Sequence, residues 1–492
     1  MMASNRPPDA TIRLSGSDTT FILDEAVESQ HTLKIAVFDE ASSRDFQFDR
    51  VSEALAGAAT VLPQMRWRVQ RVPFGLNRPM WITDPDFDVR KHLRHAVLPV
   101  PGTKTQLCRM IGDIASEPVP LDQPPWELWF LEGFEGSKVV AVLKMNHAMA
   151  DGGTFAKLLD MLTSTQPGGS PVAPAVPRLV TTVSRGDALR DGARDLWNDV
   201  RHELPRRIRA VAPARAKARA SASAARRPSM LRAPKLPWRG PVTPRRSFSW
   251  SSVPLEDVKQ IKNAVSGTVN DVILAIVAGA VRRHLAEQGL LPDRPVLAFT
   301  AATNRKAGDT RLWGTAATSR PVELPTHLAD PLERLRAARA QNAAAKADVA
   351  GRSVQMEDLF DFAPPIILTP MLRLWRLVGQ RIGGGVIVSD VMGPKEKRYI
   401  GGMGIENFLS CGHLKYAAGV NITVWSYNTM LNFAVYGCTR TLPDAELLTQ
   451  QIQSSFEELR AAAGTSRNPS NGTESAEPAQ VNTTAAEGRE HV

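Results

Sequence analysis

The stretch KMNHAMADGG, residues 144–153, places an Asp-Gly pair four residues after a histidine. Such a pattern indicates either a catalytic base on a loop or a surface histidine that happens to precede a turn. With 9 His, 50 Asp plus Glu and 34 Gly among 492 residues, chance predicts a His-x-x-x-acid-Gly pattern about 0.06 times in such a chain. The motif is therefore a hypothesis, and the residues around it decide between the two interpretations.

The flanking residues predict that this stretch is a loop between a buried strand and a helix. Residues 139–143 read VVAVL, an apolar run typical of a buried strand. Residues 154–162 carry apolar side chains at the spacing of one helical face. Loops that leave a strand and enter a helix are common positions for reactive groups in mixed α/β proteins. His147 is therefore a candidate catalytic residue.

The same alternation of strand and helix patterns continues through the chain and predicts an α/β (α+β) fold with mixed sheets. Besides 139–143, the predicted strands are residues 32–38, 295–303, 385–391 and two strands in 420–437 around an Asn-containing turn. Besides 154–162, the predicted helices are residues 51–62, 269–285 and 443–463.

Length and charge distribution predict two domains joined by a basic segment. A chain of 492 residues exceeds what one core usually organises. Between Arg201 and Arg246, 14 Lys or Arg accompany a single acid, so this segment accounts for the net charge of +10. We predict an N-terminal domain over residues 1–195, a Pro/Ala-rich linker over 196–246, a C-terminal domain over 247–464 and a disordered tail over 465–492.

The basic segment has two leading interpretations. It is either a solvated linker or a patch that meets anionic lipid, with Trp238, Leu236, Leu231 and Met230 inserting shallowly. Nucleic acid is a weaker third interpretation, because the segment carries a single Trp, no Tyr and no recognisable binding module.

Cysteine usage and hydropathy predict a cytoplasmic protein. Cys108, Cys411 and Cys438 are scattered, which argues against a disulfide framework or a zinc site and fits a reducing compartment. The N-terminal residues lack the apolar core of a signal peptide, and no run of 18 apolar residues occurs. We therefore expect no metal and no spanning helix.

Several sequence blocks, in order, resemble the bacterial wax ester synthase/diacylglycerol acyltransferase family. They are LSGSDTTFILDEA, PLDQPPWELWFLEG, KMNHAMADG, SGTVNDVILAIVAGA, SDVMGP and GVNITVWSYN, and the resemblance runs from about Leu14 to Leu459. It implies two chloramphenicol acetyltransferase-like domains with the active site at their interface. It also implies an O-acyltransferase that moves a long-chain acyl group from acyl-coenzyme A to diacylglycerol or to a fatty alcohol, giving triacylglycerol or wax ester.

The resemblance implies that His147 is the general base. A neutral imidazole can take the proton of an attacking alcohol and return it to the departing thiolate, so no Ser or Cys nucleophile is required. In resembling enzymes the residue corresponding to Asp151 pairs with an arginine and supports the loop, and its own pattern also fits a helix cap near Thr154. Asp151 is therefore a second candidate catalytic residue, with support of the loop favoured over a direct part in proton transfer. We expect Gly152 to let the backbone turn tightly and approach a ligand.

Three further residues are candidates for substrate-binding or supporting positions. Asn270 and Asp271 match a family block and could reach the site from the second domain, or they could satisfy backbone donors at a helix start. Trp126, in the PPW block, fits a core or tunnel wall better than a chemical role.

Three positions depart from the family pattern, and they keep an alternative open. Asn146 stands where the family has the first histidine, Pro125 where it has leucine and Asp390 where it has asparagine. Asn146 can hydrogen-bond but cannot act as a base. The alternatives are a weakly active or non-catalytic lipid-binding or lipid-droplet protein, and an acyltransferase for a more polar alcohol.

The expected partners follow from the leading hypothesis. They are acyl-coenzyme A as a co-substrate and a lipid alcohol, with peripheral contact to an anionic inner membrane or lipid droplet. We expect no other cofactor and no nucleic acid, and the sequence leaves the oligomeric state open.

Overall fold

The computed structural model describes residues 11–25, 28–58, 62–169, 177, 179–206, 209, 228, 233–303, 305, 308–350, 360–382, 384–415 and 418–464. The predicted tail, 465–492, and much of the predicted linker lie outside the described residues. The elements of the N-terminal half are β1 (Ile12–Arg13), α1 (Gly16–Asp24), β2 (His31–Phe38), α2 (Glu40–Ser43), α3 (Phe48–Ala58), β3 (Trp67–Gln70), β4 (Met80–Thr83), β5 (Leu93–Val97), α4 (Lys104–Ser116), β6 (Trp126–Phe134), β7 (Lys138–Asn146), α5 (Gly152–Leu162) and α6 (Arg185–Asn198).

The C-terminal half begins with a strand and ends with a helix. Its elements are β8 (Arg246–Pro254), α7 (Leu255–Ala264), α8 (Val269–Glu287), β9 (Val296–Thr303), β10 (Ala317–Leu324), α9 (Pro331–Ala350), α10 (Pro365–Ile382), β11 (Val386–Met392), β12 (Tyr399–Ile400), β13 (Met403–Cys411), β14 (Val420–Tyr427), β15 (Met430–Cys438) and α11 (Ala445–Ala462). Every strand and helix predicted from periodicity has a counterpart here, with ends that differ by a few residues.

Two six-stranded sheets carry the fold, and both are mixed. The first has the order β12-β13-β2-β7-β6-β5, in which only β5 and β6 run parallel. The second has the order β10-β9-β11-β14-β15-β8, in which β11 runs parallel to both of its neighbours. A small antiparallel sheet, β1-β4-β3, completes the N-terminal half. The mixed α/β architecture predicted from the sequence is confirmed.

The C-terminal half contributes strands to the N-terminal sheet. Strand β13 belongs to the C-terminal half by sequence, but it pairs antiparallel with β2, where Leu409 lies opposite Ile35. Phe408 and Leu409 are buried on opposite faces of that sheet. The predicted C-terminal domain, residues 247–464, therefore supplies two strands to the N-terminal sheet, because burying both faces of β13 outweighs the separation along the chain.

The basic segment contributes to the core where it is described. Trp238 and Leu236 are buried in the C-terminal core, and the indole N–H of Trp238 donates to the carbonyl oxygen of Gly384 at 2.6 Å. Shallow insertion of these two side chains into lipid is therefore wrong, since an indole with a satisfied N–H is stably placed in a core. Met230 and Leu231 lie outside the described residues.

The structure also describes the three cysteines and the most hydrophobic helices of the chain. Cys108, Cys411 and Cys438 are buried free thiols. In the part of the chain that the structure describes, no single helix is long and apolar enough to cross a membrane. Helices α7 and α8 reach that length and apolarity only as a pair bent by 100°, and α8 is largely buried among the other C-terminal elements.

Candidate active site

The KMNHAMADGG stretch forms a strand–loop–helix unit, as the sequence predicts. Strand β7 ends at Asn146, the loop carries His147, and α5 begins at Gly152 with Asp151 as its N-cap. The Asp151 carboxylate accepts a hydrogen bond from the backbone N–H of Thr154 at 2.7 Å. Such a cap satisfies one of the unpaired donors at the start of a helix and fixes how the chain enters it.

A loop from the C-terminal half closes over this unit. Between β9 and β10 the chain returns to the histidine loop, where Gly314 pairs with Ala150 as a parallel bridge. The N–H of Gly314 donates to the carbonyl oxygen of Met149 at 2.8 Å. The second Asp151 oxygen accepts from the N–H of Ala316, also at 2.8 Å. The candidate site therefore lies where the two halves of the chain meet.

The imidazole of His147 is held by contacts from both halves. Its Nδ1 lies 3.2 Å from the hydroxyl of Thr315. Phe21 of α1 stacks on the ring with centroids 4.6 Å apart, and His413 packs against it edge-on at 4.8 Å. A ring with one stacked and one perpendicular neighbour has little freedom to rotate.

The hydrogen bonds around Thr315 assign the tautomer of His147. The Thr315 hydroxyl donates to the carbonyl oxygen of His147 at 3.2 Å, so its oxygen is left to accept a hydrogen bond from Nδ1–H. With Nδ1 protonated, Nε2 carries the lone pair. The geometry therefore supplies an imidazole whose free nitrogen can accept a proton.

Burial keeps this imidazole neutral. It lowers the pKa of His147 to about 4, with Lys34 and Lys415 lowering it further and Asp151 opposing the change. The pKa of His413 lies well below its ordinary value for the same reason. Burial likewise lowers the pKa of Lys34 to about 8. At neutral pH His147 is therefore in the form that a base requires.

Asp18 of α1 is a member of the site that motif reasoning missed. Its buried carboxylate accepts from the N–H of Thr315 at 2.9 Å and from the hydroxyl of Ser15 at 2.7 Å. Burial raises its pKa to about 7. Asp18 lies in the LSGSDTT block, which contributed to the family resemblance but suggested no chemical role for this residue. Thr315 lies in none of the blocks that carried the resemblance.

Asp151 also has a positive neighbour from the second half. Arg305, at the end of β9, places its guanidinium 3.9 Å from the Asp151 carboxylate and donates to the hydroxyl of Thr154 at 2.6 Å. Asp151 thus bonds two backbone N–H groups and faces an arginine, an arrangement suited to holding the loop. Its supporting role stays a prediction.

Asn146 is fully engaged in a buried network. Its amide donates to the Glu25 carboxylate at 2.9 Å and to the carbonyl oxygen of Phe21 at 3.3 Å, while its own oxygen accepts from the N–H of Ala148 at 2.9 Å. Its backbone N–H donates to Pro125 at 2.9 Å, which joins the PPW block to the histidine loop. Asn146 therefore anchors the loop through hydrogen bonds.

Gly152 is required by packing between the halves. A Cβ at this position would lie 2.7 Å from a methyl group of Val391 on β11, next to Asp390. Gly152 is not among the residues with positive φ. The turn therefore does not require a glycine here, whereas the close approach of β11 does. The predicted approach of Gly152 to a ligand stays a prediction.

The remaining predicted residues serve the surrounding structure. Trp126 is buried, stacks on His92 at 4.5 Å and donates to the carbonyl oxygen of Met65 at 2.7 Å. Asp271 accepts from the N–H of Thr268 at 2.8 Å, as in a capping box.

Asn270 and Asp271 are both linked to α9. Asn342 donates to the Asp271 carboxylate at 2.6 Å, and the Asn270 amide donates to Asn342 at 3.3 Å. A direct contribution of Trp126, Asn270 and Asp271 to the acyl-transfer site stays a prediction.

Comparison with known proteins assigns the family. The wax ester synthase/diacylglycerol acyltransferase catalytic domain matches residues 14–273, and the WS/DGAT C-terminal domain matches residues 313–460. A Mycobacterium tuberculosis protein named as a candidate diacylglycerol O-acyltransferase is 32% identical over 480 residues, covering 93% of this chain and 98% of its own. A second M. tuberculosis protein with the same naming is 30% identical, with 91% and 90% covered.

Solved structures share the fold at lower identity. The wax ester synthase/diacylglycerol acyltransferase from Marinobacter aquaeolei superposes with a TM-score of 0.65 at 22% identity, covering 92% of this chain and all of its own. The first condensation domain of the calcium-dependent antibiotic synthetase gives 0.57 at 15% identity, with 92% and 96% covered. The predicted chloramphenicol acetyltransferase-like architecture of two domains is confirmed.

The role of Asp151 can be separated from that of His147 by stability. Asp151→Asn retains one acceptor oxygen where the carboxylate has two. Its amide NH₂ then faces one of the two backbone N–H groups, donor against donor. We expect it to lower the free energy of unfolding by about 1–3 kcal/mol as well as the rate, measured by urea denaturation and turnover. His147→Ala, the control, should change the rate far more than the stability. Unchanged stability of Asp151→Asn would contradict the supporting role.

Proposed function

Because the chain belongs to the wax ester synthase/diacylglycerol acyltransferase family, we propose that it transfers a long-chain acyl group from acyl-coenzyme A to diacylglycerol, and also to fatty alcohols. The family itself establishes the coarser activity, which is acyl transfer to an alcohol. The names of the family and of its M. tuberculosis relatives support the choice of acceptors. The observation that supports His147 as the base is its half-buried, neutral imidazole at the junction of the halves, with Nδ1 bonded to Thr315 and Nε2 left as the acceptor.

In the proposed reaction His147 acts on the acceptor alcohol. Nε2 removes the hydroxyl proton as the oxygen attacks the thioester carbonyl carbon, and a C–O bond forms. The C–S bond then breaks, and the imidazolium returns the proton to the departing thiolate, which yields the ester and free coenzyme A. Acyl-coenzyme A is thus a co-substrate, and the imidazole supplies the proton transfer without a further cofactor.

Thr315 and Asp18 support this chemistry by positioning. A base contributes only when its lone pair points at the reacting hydroxyl, and small misplacements are costly. The Thr315 hydroxyl accepts from Nδ1, and Asp18 holds the Thr315 backbone at 2.9 Å. We therefore assign Thr315 the role of a positioning residue, in contact with the base and not with the substrate.

An acceptor panel tests the proposed function. We expect palmitoyl-coenzyme A to release coenzyme A rapidly with diacylglycerol, more slowly with hexadecanol and only slowly with water. His147→Ala should lower the acceptor-dependent rate about 10²- to 10⁴-fold while remaining folded. Release that is independent of the acceptor, or absent with every acceptor, would favour the lipid-binding alternative. A strong preference for polar alcohols would favour the alternative of an acyltransferase for a more polar alcohol.

The pH profile tests the state of the imidazole. The base form of His147 exists above its pKa, which burial lowers to about 4. The acidic limb of kcat/KM, which reports groups of the free enzyme, should therefore lie well below the ordinary histidine value of about 6.5. The rate should hold from neutral pH down to about pH 5 and fall beyond it. Burial raises the pKa of Asp18 to about 7, so the profile is also measured for Asp18→Asn. A limb at the ordinary histidine value that persists in Asp18→Asn would show that the imidazole is solvated and would contradict the buried base.

Replacing Thr315 tests its positioning role. Thr315→Val preserves shape but removes the oxygen that accepts from Nδ1, so we expect kcat to fall about tenfold with little change in KM. Thr315→Ser keeps that oxygen and should retain most of the activity. Equal activity in the two variants would remove Thr315 from the mechanism.

A further inference from the structure

Helix α10 presents an apolar face to solvent. Ile366, Ile367, Leu374, Leu377 and Val378 are all exposed, and they recur at the spacing of one side of a helix. Leu374 is 60% exposed. Soluble proteins rarely leave large apolar side chains exposed together, so such a stripe marks an interaction surface.

A turn from the N-terminal half extends this surface. Phe74, in the turn Pro73–Gly75, is 79% exposed. The turn packs against the start of α10, because a Cβ at Gly75 would lie only 3.2 Å from the backbone nitrogen of Ile366. We call Phe74, Ile366, Ile367, Leu374, Leu377 and Val378 together the apolar face.

Positive charge surrounds the apolar face. Helix α10 has three arginines and no acidic residue in its 18 positions. Arg373 and Arg381 are exposed on the same side as the leucines. Beside Phe74 lies a cavity of about 710 Å³, whose lining includes Arg68, Arg71 and Arg185. Exposed apolar side chains bordered by arginine are the composition of a helix that lies in the plane of an anionic lipid surface.

The apolar face is close to the candidate site. Helix α10 lies against α1. The residues just before α10 also contact the start of α1, where Gly16 leaves no room for a Cβ against the backbone of Phe360 and donates its N–H to Asp361. The same helix α1 carries Phe21, which stacks on His147. One helix therefore separates the apolar face from the base.

We propose that the apolar face docks on an anionic lipid surface and brings the acceptor to the site from there. This inference deepens the proposed function and rests on it for the identity of the acceptor. The basic segment 201–246 was the sequence-based candidate for this contact, but Trp238 and Leu236 are buried. In contrast to Trp238 and Leu236, the apolar side chains of α10 and Phe74 are exposed and can contact lipid.

Vesicle flotation of the full chain tests the docking surface. We expect the wild type to float with vesicles of phosphatidylcholine and phosphatidylglycerol, and less with phosphatidylcholine alone. Leu374→Asp/Leu377→Asp should lower the partition coefficient at least tenfold. The matched control, Leu290→Asp/Leu447→Asp, changes two leucines of similar exposure outside the apolar face, and it should bind within twofold of the wild type. Arg373→Gln/Arg381→Gln should reduce the preference for phosphatidylglycerol.

The outcomes separate this inference from the proposed function. His147→Ala should float like the wild type, since docking does not need turnover. Docking without acyl transfer would contradict the proposed function alone, whereas acyl transfer with unchanged flotation of Leu374→Asp/Leu377→Asp would contradict this inference alone. Sedimentation velocity on the same variant tests the alternative that the apolar face binds a second copy of the chain instead of lipid. A change from dimer to monomer with unchanged flotation would show that the apolar face binds a second copy of the chain, and would overturn the proposal.

Discussion

The carboxylate of Asp151 accepts hydrogen bonds from both halves of the chain and joins them beside His147. One oxygen caps α5 through Thr154, and the other holds the N–H of Ala316 in the returning loop. The residue before Ala316 is Thr315, whose hydroxyl lies 3.2 Å from Nδ1 of His147. A buried charged acceptor that loses either partner would retain an unsatisfied desolvation cost, so both contacts are strongly maintained.

Burial then determines the chemical state of the groups that meet at this junction. It lowers the pKa of His147 to about 4 and that of Lys34 to about 8, and it raises that of Asp18 to about 7. Each change favours the neutral form, since a charge is poorly solvated away from water. Under the proposed function, a neutral His147 would need no deprotonation step before it acts as a base. Exclusion of water from the site would then favour transfer to an alcohol over hydrolysis of the thioester.

Strand β13 and helix α1 link the candidate site to the rest of the fold and to the apolar face. Strand β13 ties the C-terminal half into the N-terminal sheet, next to β2, which is paired in turn with the histidine strand β7. Helix α1 contacts both His147 and α10. Under the proposed function, a lipid acceptor that leaves the membrane at α10 would have a short route to the base, and the paired sheets would keep that route rigid.

The sequence by itself determined the strand, loop and helix around His147, because their apolar spacing depends on neighbouring residues. The order of the motif blocks also carried the family. Tertiary structure alone decided that Thr315 and Arg305 join the candidate site. Thr315 is 168 residues from His147 along the chain, and such contacts depend on where the chain returns and leave no local pattern. It also decided that Trp238 is buried while Leu374 is exposed: spacing along a helix or linker shows which residues share a side, but the packing of other elements determines which side faces water.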